Sequence, residues 1–139
     1  MEASEIRKRL TQTIERAKKQ AAEHRTRSDE ATRAFETLLK TVAVPLFRQA
    51  ANILKSEGYP FNLFTPSGSV RLMSDRVSED FIEIFLDTSG ETPDVMGHVS
   101  RSRGRRVIES ERSIGAPATL TEGELLDFLS KELEAFVER

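Results

Sequence analysis

Four arginines stand within six residues in the stretch Arg101-Ser102-Arg103-Gly104-Arg105-Arg106. Guanidinium forks bind phosphate or carboxylate through two parallel hydrogen bonds. Arg101, Arg103, Arg105 and Arg106 are therefore the candidate residues for an anionic partner. Gly104 in their midst reads as a hairpin tip, and a basic hairpin can enter a nucleic-acid groove. Two features count against nucleic acid: no aromatic residue accompanies the arginines to stack on bases, and the surrounding domain is acidic. Glu109 and Glu111, or Glu79 and Asp80, are placed to pair with the arginines across strands. The expected order is a solvated or salt-bridged hairpin, then an anionic protein partner, then nucleic acid.

Residue types and spacings form no catalytic set. There is no Cys, hence no thiol nucleophile, disulfide framework or zinc ribbon. The two histidines, His24 and His98, are too far apart for a His-Glu-x-x-His zinc site. Glycine-rich phosphate loops and a Gly-x-Ser-x-Gly elbow are missing. Glu83 and Asp87 share a strand face but stand roughly 13 Å apart at about 3.3 Å per residue, too far for a simple acid–base pair. His98 has Glu83 and Asp94 as possible carboxylate partners, yet a hydrogen-bonded sheet histidine is the simpler reading. His24 would sit in the seam of a paired helix as a tolerated polar residue. The residues imply no enzyme, no cofactor and no metal.

The elements that carry these residues are unevenly built. The chain has 139 residues, net charge -2 and 37% hydrophobic residues. Of the forty large hydrophobics, only Met1, Ile6, Leu10 and Ile14 lie in the first 34 residues. Residues 1–40 carry ten basic and seven acidic groups, against four and eight in residues 41–100. Such a segment cannot offset its ordering entropy by burying its own core. We read residues 1–44 as a helical arm and 45–139 as a compact α+β domain.

No Gly or Pro precedes Pro45, so helix propensity in the arm is high. Leu10, Ile14, Ala17, Ala21, His24, Ser28, Ala31, Phe35, Leu38 and Val42 recur at a period of 3.5, a coiled-coil spacing. Leu10, Ile14, Ala17, Ala21, Ala31, Phe35 and Leu38 are the candidate oligomerisation residues. Pro45 should kink the chain or start a new helix, and should hold Val44 away from α geometry.

A second helix follows, stopped by Gly58 and Pro60. Strands are expected at 61–65, Ser69–Ser74, 79–87, 95–101 and 106–114. Short connections make these four to five strands an antiparallel meander. Phe81 and Phe85 on the second face of the third strand imply that this face too is covered. Thr121 and Glu124 fit a capping box opening an amphipathic C-terminal helix.

The longest apolar run, 42–47, contains Pro45 and cannot span a membrane. The first residues lack the pattern of a signal peptide. The composition therefore points to a cytoplasmic, homo-oligomeric protein-interaction or adaptor module with a protein partner. A nucleic-acid-associated protein using the Arg101–Arg106 hairpin and the basic arm is the less favoured alternative, and no membrane is involved.

Overall fold

The computed structural model describes residues 1–138. Helix α1 (Ala3–Leu38) leads through a π-helical turn (Leu39–Ala43) into α2 (Val44–Ser56). Five strands follow: β1 (Phe61–Phe64), β2 (Ser69–Ser74), β3 (Phe81–Asp87), β4 (Asp94–Arg103) and β5 (Arg106–Gly115). Helix α3 (Glu122–Val137) closes the chain. The strands form one antiparallel sheet in sequence order, β1-β2-β3-β4-β5. This is the expected α+β meander.

Alternation along the strands decides which face is buried. Val70 pairs with Ile84 and Leu72 with Ile82, and all four are fully buried with Val95. Helices α2 and α3 pack on this face, where Phe136 meets Phe61 edge-on at 5.6 Å between ring centres. Phe128 lies over Gly97, where a Cβ would fall 2.4 Å from the ring. Glycine suits this position because the Phe128 ring occupies the space a Cβ would take. A bulge in the β4–β5 pairing at Val95 and Met96 leaves Ile114 beside the same spot.

A new helix starts here as expected, with Pro45 in the first turn of α2, but Val44 is not held away from α geometry. Val44 keeps helical angles (φ -64, ψ -47), and its N–H donates to the Leu39 carbonyl five residues back. The wider π turn makes room where the proline ring would otherwise meet the preceding turn. Proline's missing N–H then falls at the start of α2, where it costs no helical bond. The chain is helical from Ala3 to Ser56, and its core residues begin at Phe35, Leu38 and Ala43.

At the other end, Thr121 accepts a hydrogen bond from the Glu124 N–H, and the Glu124 carboxylate accepts one from the Thr121 N–H. The capping box is formed. Among the described residues no helix is long and apolar enough to cross a membrane.

Candidate functional site

Three surfaces carry the candidate residues. The first is the sheet face turned away from α2 and α3. The expectation that it is covered is met without a helix. Phe81 is only 8% exposed because its neighbours lie over it. The Arg71 guanidinium stands 4.0 Å from the ring centre, and His98 meets the ring edge-on at 5.0 Å. Arg71 Nε donates to Glu83 at 2.9 Å, and the Ser69 hydroxyl donates to the same carboxylate oxygen at 3.3 Å. Glu83 is thus held by Arg71 rather than by His98, whose Nε2 lies 3.3 Å from Glu109. The face is sealed by its own long side chains. Glu83 and His98 both pack against this face, and the contact of His98 is with Glu109 rather than with the expected Glu83 or Asp94.

At the end of β3, the Ser89 hydroxyl and backbone N–H both donate to Asp87, at 2.6 and 2.9 Å. These bonds, the hydroxyl's first, hold the Asp87 carboxyl below the usual carboxylate range. It is a turn-capping carboxylate. Among the described residues, no three of His, Asp and Glu gather as a metal ion would need.

The second surface is the arginine hairpin. Pairing between β3 and β4 ends at Phe81 and Ser100, so residues 101–108 project as a two-stranded ribbon. Gly104 has φ 64 at the first central position of its turn, where only glycine is unstrained. The ribbon's base is tied down by Asp80, which is buried and accepts from the Ser102 N–H at 2.7 Å.

The expected cross-strand pairing of the arginines with Glu109, Glu111 or Glu79 is not found among the described residues. Among the described residues the ion pairs are Arg9–Glu5, Arg71–Glu83, His98–Glu109 and Arg112–Glu132, and none involves Arg101, Arg103, Arg105 or Arg106. Strand alternation is the reason. Glu109 and Glu111 share a face with His98, whereas Arg101, Arg103 and Arg106 lie on the other face with Ile108. Arg103 stands directly opposite Arg106, a like-charge pair that weakens a ladder. Val107 and Ile108 are exposed beside them.

No family model, curated protein or solved structure matches the chain.

The third surface is the arm. The apolar stripe at period 3.5 divides in two. Phe35 and Leu38 are buried in the core of their own chain, and His24, Ser28 and Ala31 are half-buried above it. The His24 Nε2–H donates to the Gly90 carbonyl at 3.2 Å, tying α1 to the β3–β4 loop. Leu10, Ile14, Ala17 and Ala21 continue the stripe and are exposed. At roughly 1.5 Å per residue, residues 3–23 extend about 30 Å. Ile6, missed by the 3.5 spacing, stays exposed one turn before Leu10. Helical i, i+4, i+8 counting identifies it.

Proposed function

We propose that this protein is a non-catalytic interaction module that pairs with a second copy of itself through its arm. One observation carries the reading: residues 3–23 form helix with Ile6, Leu10 and Ile14 all exposed. Helices in proteins draw most of their stability from packing an apolar face, and a row of three exposed aliphatic residues is a helix face that lacks a partner. A protein partner beyond the second copy would meet the remaining surfaces. The lack of Cys supports a cytoplasmic setting. Light scattering tests the pairing. The full chain should have the mass of a dimer, and Leu10→Asp with Ile14→Asp should yield a folded monomer. A monomeric wild type up to about 100 μM refutes the reading.

The arginine-rich ribbon supports a second reading, a nucleic-acid-associated protein. The opposed Arg103 and Arg106, in no ion pair among the described residues, cost sheet stability, which an anion offsets on binding. If three phosphates are engaged, log K should fall with log salt at a slope of about -3. Arg103→Ala with Arg105→Ala should flatten that slope. Unchanged mobility of duplex DNA and RNA at low salt removes this reading.

A further inference from the structure

Helices α2 and α3 lie side by side on the sheet and leave a groove between their outer faces. It encloses about 350 Å³ and is lined by Leu46, Ala50 and Ile53 of α2 with Leu126, Leu129 and Leu133 of α3. Leu129 is buried and forms the floor, but Ile53 is 61% and Leu126 49% exposed at the rim. A groove of this kind fits the apolar face of one more helix, read by residues one turn apart.

We infer that the occupant is the arm of a second copy, with Ile6, Leu10 and Ile14 as its anchors. The inference rests on the pairing proposed above and names the surface that receives the arm. Charge selects the occupant. Residues 3–23 carry six basic and three acidic groups, whereas α3 carries five acidic groups and one lysine. On the helical wheel, Arg9 and Arg16 flank the anchors on one side, and Arg7 and Lys18 on the other. The basic residues on one of these sides would face α3, where Glu122 lines the groove and Asp127 and Glu134 lie on the same helix. The chain's own arm cannot fill the site. It is the straight continuation of a helix fixed at Phe35, Leu38 and His24, and it leads away past the β3–β4 loop. Two copies exchanging arms fill both grooves and close the assembly with two-fold symmetry.

The absence of Cys gives a direct test. One chain carries Leu10→Cys and another Leu126→Cys, both at exposed positions, and the two are mixed and treated with a short bis-maleimide. A cross-linked dimer that forms only in the mixture is the expected result. Cross-linking of the Leu10→Cys chain to itself means that the arms pair with each other. That outcome overturns the inference while the paired assembly stands, as does a dimer by mass that yields no product in the mixture. A monomer by mass removes both. Leu126→Asp should weaken dimerisation at least about tenfold with an unchanged far-UV spectrum, and unaltered dimerisation overturns the inference.

Discussion

Replacing Gly97 by Ala places a methyl group where α3 meets the sheet. The new Cβ would lie 2.4 Å from Phe128 Cζ, 2.5 Å from its Cε1 and 3.1 Å from Ile114 Cδ1. Carbon atoms at rest stand about 3.5–4.0 Å apart, so the ring must retreat by more than about 1 Å. Phe128 is buried, and Arg112 lies over its ring 5.1 Å from the centre, so a retreat of the ring disturbs that contact. Overpacking of this kind costs about 1–3 kcal/mol. Against it, alanine restricts the unfolded chain and returns about 0.4–1 kcal/mol. The net expectation is a loss of about 1.5 kcal/mol, read as a lower urea midpoint with unchanged slope and a melting temperature lower by about 5 °C. Trimming the ring should relieve the clash. In the cycle Gly97→Ala, Phe128→Leu and both together, the double variant should be at least about 1 kcal/mol more stable than additivity predicts. A neutral Gly97→Ala, or an additive cycle, would show that α3 does not press on the sheet at this point.

Three further outcomes follow from contacts already described. Arg71→Ala leaves the Glu83 carboxylate without its guanidinium and uncovers Phe81; it should cost about 2 kcal/mol in urea unfolding, partial exposure of Arg71 keeping the loss below that of a fully buried pair. Thr121→Ala removes the α3 cap and should cost about 1 kcal/mol by the same measurement. Ser89→Ala deletes the main donor to Asp87, so the carboxyl should titrate at higher pH in carbon-detected NMR. Because the folded-state value is depressed, the Asp87 contribution to stability is present above the unfolded-state value and fades as pH falls through the folded one; Ser89→Ala should shrink that pH dependence.

The sequence resolves the parts of this fold that depend on local chemistry. Thr121 and Glu124 mark the start of α3 because each side chain completes the other's backbone bond. Ser69–Ser74 matches β2 because a turn with Pro66 and Gly68 fixes one end. What escapes is decided by reach and by face. Period-two alternation sorts Phe81 from Ile82, but it does not reveal that Arg71 and His98 would cover the phenylalanine. Counting carboxylates near the arginines ignores that Glu109 and Glu111 point to the opposite side of the ribbon. At Pro45 the rule against helical geometry before proline yields to a remedy the sequence does not announce, one wider turn. The 3.5 spacing marks an apolar stripe along the arm, yet spacing alone does not show that Phe35 and Leu38 serve the chain's own core.

That wider turn also sets a direction. A π turn holds one more residue than an α turn and so rotates what precedes it by roughly 100° about the axis, relative to an unbroken helix. Leu39–Ala43 therefore acts as an indexing notch between α1 and α2. Removing one residue there would leave every contact of the sheet with α2 and α3 intact on paper while turning the row Ile6, Leu10, Ile14 to another compass point. The bearing of the arm is written in the length of a single turn.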